Sequence, residues 1–150
     1  MVTRPTPYGA YNFLVDIGDG DASSPLGGFS DVSGLGNEIT LMEYRNGNDK
    51  ENNVRKFAGL NKPTDVTLKR GIAGQENLTN WIFAMRRSQV EKRTVTITLN
   101  DEQGNPVMRW LLRNAQISKW TGPTLAAKGG SDVAMEEVVL ASESIEFVDV

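Results

Sequence analysis

Neither cysteine nor histidine occurs anywhere in the 150 residues of this chain. Without histidine there is no side chain whose unperturbed pKa lies near neutrality, and no Ser-His-Asp or Cys-His nucleophile system. Without either residue there is no Cys/His zinc site. The missing thiols leave the compartment open, since such a chain suits oxidising and reducing surroundings alike. No apolar run approaches the roughly 20 residues of a membrane-spanning helix. The N-terminus, Met1-Val2-Thr3-Arg4-Pro5-Thr6-Pro7, has no apolar core of a secretory signal, so no signal peptide is expected. A net charge of −3 gives no basic footprint for nucleic acid. A polar conduit that passes nucleic acid without holding it is still compatible with that charge.

Recognised chemistry is equally sparse. Gly34-Leu35-Gly36 lacks the third glycine of a dinucleotide fingerprint, and the stretch Gly122 to Gly129 lacks the Gly-Lys-Ser/Thr core of a P-loop. There is no Gly-x-Ser-x-Gly elbow. Asp16, Asp19 and Asp21 resemble a calcium loop but miss the regular spacing and distal Glu of an EF-hand. Glu43 and Glu137 are the best candidates for a carboxylate pair. Neither has the apolar sequence context that raises a pKa, and both read as outward-facing strand residues. We therefore expect no catalytic, cofactor or metal site and no enzymatic activity.

What is present reads as strands. Tyr11 to Ile17 alternates, with Tyr11, Phe13, Val15 and Ile17 on one face. Gly27 to Leu35 has the small-residue look of a strand passing close to other backbone. Gly36-Asn37 supplies a turn, and Glu38 to Arg45 forms the return strand. From Asn46 to Lys56 the chain is almost wholly polar, NGNDKENNVRK, and residues 46–60 read as one long loop. Loops of this length in compact domains are uncommon and tend to be functional or disordered. After Asn61-Lys62-Pro63, Thr64 to Arg70 alternates with Val66 and Leu68 inward and Asp65, Thr67 and Lys69 outward. One helix is predicted over Gln75–Gln89, where Leu78, Trp81, Ile82, Met85 and Val90 make an apolar stripe. Lys92 to Leu99 is again a strand, with Val95, Ile97 and Leu99 inward. Val107 to Trp120 is one long strand or two joined near Asn114, and Met135 to Val148 is the last strand. The sum is a single 150-residue domain, mainly β with one α-helix, arranged as an antiparallel sandwich or barrel with residues 1–8 as an N-terminal arm.

Several short motifs then fall into a familiar order. Asp31-Val32-Ser33-Gly34-Leu35, followed by Ile39 and Tyr44-Arg45-Asn46-Gly47, resembles the tail (inner) tube proteins of contractile-tailed bacteriophages and contractile injection systems. Pro63-Thr64-Asp65-Val66-Thr67-Leu68-Lys69-Arg70-Gly71, the helix with Leu78 and Trp81-Ile82, and Lys92-Arg93 before Val95 to Asn100 fit the same family. So do Trp110, Asn114-Ala115 and the segment Val133 to Leu140.

The resemblance implies a structural subunit that forms hexameric rings around a continuous β-barrel lumen. Such rings stack into a hollow conduit for DNA or effector proteins. The expected partners are further copies of the chain, a surrounding sheath, and baseplate and terminator proteins. The expected place is a virion tail or an extracellular or cytoplasmic injection particle, after synthesis in the bacterial cytoplasm without a signal peptide, with no membrane insertion by the monomer. The same resemblance makes Tyr44, Arg45, Asn46, Asp49, Lys50, Glu51, Arg55 and Lys56 interface candidates. Thr40, Asp65, Thr67 and Lys69 become candidates for the lumen. The alternative is a monomeric β-barrel that binds a small ligand or carbohydrate. There, loops Gly18–Pro25 and Thr121–Asp132 would frame a pocket and Trp110 and Trp120 would stack on a sugar ring.

Overall fold

A computed structural model describes residues 4–18, 29–48, 50, 53–72, 76–89, 91–129 and 133–149. The chain runs β1 (Phe13–Asp16), β2 (Asp31–Ser33), β3 (Asn37–Tyr44), β4 (Arg55–Pro63), β5 (Val66–Gly71), α1 (Glu76–Arg86), β6 (Arg93–Asn100), β7 (Pro106–Thr121), β8 (Met135–Ala141) and β9 (Ser144–Asp149). Every strand pair among these is antiparallel.

The strand order is β1-β6-β7-β8-β5-β2, with β9 also paired to β7. β7 resolves the choice between one strand and two: it is one element with a bend in it. Its first half pairs with β6 and β9, and Gln116–Thr121 pairs with β8. Asn114 sits at the bend with φ 51°, a left-handed conformation that Asn tolerates better than most residues. The opposite chain breaks at the same level, so Met135 to Val148 is not one strand but β8 and β9, interrupted at Ser142-Glu143. Asn114 Nδ2 donates to Glu143 Oε2 at 2.8 Å, Lys92 Nζ donates to Glu143 Oε1 at 3.1 Å, and the Glu143 amide donates to the Arg113 carbonyl at 3.0 Å. The bonds from Asn114 and Lys92 hold the Glu143 carboxyl below the usual carboxylate range, Asn114 contributing most.

The bend divides the strands into a first sheet (β1, β6, the first half of β7, β9) and a second (β2, β5, β8, the second half of β7). Inward residues of both meet in one core. Val15, Val95, Ile97, Leu112 and Ile145 come from the first; Val66, Leu68, Ile117, Val138 and Leu140 come from the second. Helix α1 adds Leu78 and Trp81, both fully buried, from the stripe seen in the sequence. Trp81 Nε1 donates to the Glu91 carbonyl at 2.9 Å, and the Arg93 guanidinium lies 5.0 Å from its ring centre. The helix is shorter than predicted. It stops at Arg86, and Ser88 follows at φ 61°, the left-handed residue that commonly ends a helix.

Three expectations are corrected here. Tyr11 does not share the inward face; it precedes β1 and is exposed. Gly36-Asn37 is not a hairpin turn, because β2 pairs with β5 and β3 pairs with β4. The expected loop over residues 46–60 includes most of a strand, since β4 starts at Arg55 and runs through Asn61-Lys62-Pro63.

One register explains the last two corrections. Asp31 faces Lys69, Ser33 faces Thr67, Asn37 faces Pro63 and Ile39 faces Asn61. Thus β2–β3 and β4–β5 form one antiparallel ribbon that continues out of the second sheet. At the crossing, the Thr64 amide donates to the Gly36 carbonyl at 3.0 Å, and the Thr64 hydroxyl bonds the Gly34 carbonyl. Gly34 has φ +86°, and a Cβ there would stand 2.1 Å from the Asp65 carbonyl oxygen, so only glycine fits.

Candidate functional site: a projecting arm, open sheet edges and a groove

Beyond that crossing, β3 and β4 form a two-stranded arm about 30 Å long, at about 3.3 Å per residue. All eight residues of β3 are exposed, as are seven of the nine in β4. A register shift opposite Thr40 takes up an extra residue of β4 near Gly59, whose Cβ would stand 2.7 Å from the Thr40 carbonyl oxygen. Strand alternation divides the side chains between two faces. Ile39, Leu41 and Ala58 share one face; Met42, Tyr44 and Phe57 share the other. Half or more of the side-chain surface of Ile39, Leu41, Met42 and Tyr44 meets solvent, and Leu60 is 84% exposed. Cross-strand neighbours Glu38–Lys62 and Glu43–Lys56 carry opposite charges, which favours this pairing over its slipped alternatives.

The structure places the sequence-predicted interface residues as follows. Tyr44, Arg55 and Lys56 lie in the outer half of the arm, with Arg45, Asn46 and Lys50 near its tip. The Tyr44 hydroxyl bonds Asn46 Oδ1. Asp49 and Glu51 lie outside the described residues. The apolar arm side chains were missed as interface candidates, although Ile39, Leu41 and Met42 stood in a recognised strand.

Of the lumen candidates, Thr67 and Lys69 do share a face, the outward side of β5. Their cross-strand neighbours there are Ser33, Asp31, Val139 and Glu137, and Lys119 and Thr121 follow on β7. Thr40 is not with them; it sits on the arm beside Gly59. Asp65 lies in the crossing between β4 and β5 rather than in the strand. Among the described residues, β2 pairs only with β5, and the second half of β7 pairs only with β8. The second sheet therefore ends in an unpaired edge on each side, the condition that invites pairing with another chain.

On the inward side of that sheet, Arg70 and Glu136 form a buried ion pair across β5 and β8. Trp120 Nε1 donates to the other Glu136 oxygen at 3.1 Å, and Phe29 lies 6.0 Å from the Arg70 guanidinium. Both acceptor oxygens of Glu136 are used, as a buried carboxylate requires. Nearby, an open groove runs along the ends of β2, β5 and β8, under the segment that follows Thr121.

The carboxylates proposed for chemistry are separated. Glu43 is on the arm beside Lys56, and Glu137 is on the sheet beside Lys69. Of the calcium-loop set, Asp19 and Asp21 lie outside the described residues, while Asp16 Oδ1 accepts from the Gly18 amide at 2.9 Å. Trp110 packs against the core, which removes it from any sugar-stacking platform with Trp120. Among the described residues no group of acidic side chains is placed to hold a metal ion, and no helix is long and apolar enough to cross a membrane.

A one-core β body with unpaired sheet edges and a projecting, two-sided apolar arm defines a class of protein: a structural subunit. Comparison with known proteins gives the family. Residues 9–146 match the family model described as the T4-like virus tail tube protein gp19, and the chain belongs to that family. It is a tail tube subunit of the kind found in phage tails and contractile injection systems.

Solved structures agree over the whole length. The chain is 32% identical to a chain of the PVC sheath–tube complex in the extended state, from an extracellular contractile injection system. That match covers 97% of this chain and 94% of the other, with a TM-score of 0.82. A chain of the tube-terminating cap of the anti-feeding prophage is 27% identical, with coverages of 100% and 96% and a TM-score of 0.84. Hcp1 from Flavobacterium johnsoniae, at 9% identity and a TM-score of 0.53 over 93% of this chain and 97% of that one, shares the fold alone. No curated protein sequence matches.

Proposed function

We propose that copies of this chain form hexameric rings that stack into the hollow inner tube of a contractile tail or injection particle, without enzymatic activity. The observation that carries this reading is the arm. An isolated two-stranded hairpin is at best marginally stable in water, and this one exposes apolar residues on both faces. Contact with neighbouring copies would bury those faces. Tyr44, Arg45, Asn46, Asp49, Lys50, Glu51, Arg55 and Lys56, at or near its tip, are the proposed inter-subunit contacts.

The second sheet supports ring closure by its parity. Its four strands, β2, β5, β8 and the second half of β7, alternate in direction, so its two edges run in opposite directions. A rotated copy then meets β2 with its own β7 in the antiparallel sense found at every other joint. The outward face with Thr67 and Lys69 would line the lumen. Its charges Asp31, Lys69, Glu137 and Lys119 balance, which suits passage of DNA or protein cargo without retention. The relatives in sheath–tube, terminator-cap and baseplate assemblies support a sheath around the tube and proteins at its ends as partners.

Deleting Asp49–Asn53 is expected to leave a folded monomer, by circular dichroism and gel filtration, and to abolish tubes under the electron microscope. Tubes of normal length from that variant would contradict the assigned role of the arm.

A further inference from the structure

Of the twelve asparagines in the chain, only Asn46 is followed by a glycine. The pair Asn46-Gly47 stands just beyond the end of β3, near the tip of the arm. Asn-Gly commonly closes a two-residue hairpin because both residues take positive φ there. That is not its use here, since neither Asn46 nor Gly47 has a positive φ. Packing within the chain does not call for the glycine either. A Cβ on Gly47 would meet nothing within 4 Å, whereas one on Gly34 or Gly59 would strike backbone oxygen. Within one chain the fold has no need of glycine at 47, which leaves its chemistry.

The backbone nitrogen that follows an asparagine can attack the side-chain amide, and a glycine hinders that approach least because it has no Cβ. The Gly47 nitrogen gives its proton to solvent hydroxide and bonds to Asn46 Cγ, and negative charge passes to Oδ1. The Cγ–Nδ2 bond then breaks, and the nitrogen leaves as ammonia with a proton taken from water. Water opens the resulting cyclic imide at either carbonyl, leaving an aspartyl or an isoaspartyl residue. The net change consumes one water and releases one ammonia, with no oxidant or metal. Gly47 is exposed, so solvent reaches the attacking nitrogen's residue. The Tyr44 hydroxyl donates to Asn46 Oδ1, the atom on which the charge develops. A donor already aimed at such an oxygen lowers the barrier.

We propose that Asn46-Gly47 is a self-modification site, where the chain loses the Asn46 amide without an enzyme and the Tyr44 hydroxyl promotes the step. Its consequence rests on the tube reading. Asn46 is among the proposed inter-subunit contacts, so a copy already in a tube shields it, and the reaction falls on copies that stay free. The product adds a negative charge beside Arg45, and its isoaspartyl form lengthens the backbone by one carbon at the arm tip. Aged free copies are thereby kept out of growing tubes.

The test runs the full chain and a synthetic peptide of residues 45–50, which lacks Tyr44, side by side at mildly alkaline pH. Peptide mass spectrometry reads the conversion as a gain of one mass unit at position 46. Conversion at Asn46 ahead of every other asparagine, and no slower than in the peptide, is expected. Slower conversion in the folded chain would show that the arm protects the site and would overturn the proposal. Gly47→Ala is expected to slow the reaction about ten-fold, its Cβ hindering the nitrogen. Tyr44→Phe is expected to slow it several-fold, and an unchanged or faster rate would refute the part given to Tyr44. Circular dichroism of both variants should match that of the unaltered chain. Converted and unconverted chains are then mixed, assembled and sedimented. Converted chains are expected in the supernatant, and pelleted tubes should hold intact Asn46. Equal shares in both fractions would overturn the exclusion of aged copies and leave the modification site standing. Absence of tubes from unconverted chain would instead remove the tube reading, on which only the exclusion rests.

Discussion

Arg4 and Glu102 clasp the start of the described chain to the turn between β6 and β7. Arg4 donates to both Glu102 oxygens at 2.9 Å and lies 4.4 Å from the Tyr8 ring centre. The hydrogen bonds from Arg4 hold the Glu102 carboxyl down to about 2. A depressed folded pKa contributes stability above the unfolded value, which is lost as the pH falls through the folded one. The clasp should therefore persist through mildly acid solution and open only near pH 2. An NMR titration of Glu102 checks this, and Arg4→Ala is expected to return it towards the ordinary value of about 4.3. A second prediction concerns Gly34. Its Cβ would meet the Asp65 carbonyl oxygen at 2.1 Å in a backbone of φ +86°, so Gly34→Ala carries both strain and a clash. It should cost upwards of about 2 kcal/mol in chemical denaturation, given about 1–2 kcal/mol for the left-handed backbone alone. A loss below about half a kcal/mol would mean that the crossing relaxes.

Elements that bury one face were visible in the sequence; of the two that bury neither, β3 was visible and β4 was not. Thr64 to Arg70 and Lys92 to Leu99 alternate because Val66, Leu68, Val95 and Ile97 sit in the core while their neighbours meet solvent. β4 reads Arg-Lys-Phe-Ala-Gly-Leu-Asn-Lys-Pro and shows no such period, since neither of its faces enters the core. Its strand character comes from pairing with β3, a long-range fact that local pattern does not carry. The interface candidates followed from the resemblance, which pointed to the polar stretch at the arm tip, and so did not include the exposed apolar side chains Ile39, Leu41, Met42, Phe57 and Leu60. Gly36-Asn37 signalled a turn for a sound reason, yet two chain segments cross there instead, and it is Gly34 that permits their close approach.

The buried pair between β5 and β8 was also invisible, because Arg and Glu are seldom buried unless paired and only the register joins Arg70 to Glu136. Glu136→Leu should lose about 3–5 kcal/mol in chemical denaturation, since Arg70 is left buried without its partner. Arg70→Met with Glu136→Leu should recover most of that loss. Equal losses in the single and double variants would show that packing, not the stranded charge, sets the cost.

At the scale of the molecule, the body and the arm follow different rules. The body closes a core around Trp81, Leu112 and Leu140 and is complete within one chain. Among the described residues, the arm and the edges of the second sheet are left open by their own chain, and in the proposed tube other copies would complete them. The most direct measurement is negative-stain electron microscopy of the purified full chain over a range of concentrations. The account predicts rings with a central hole that give way to stacked hollow rods as concentration rises. A uniform particle of monomer size at every concentration, also in the presence of preassembled tube fragments, would contradict it.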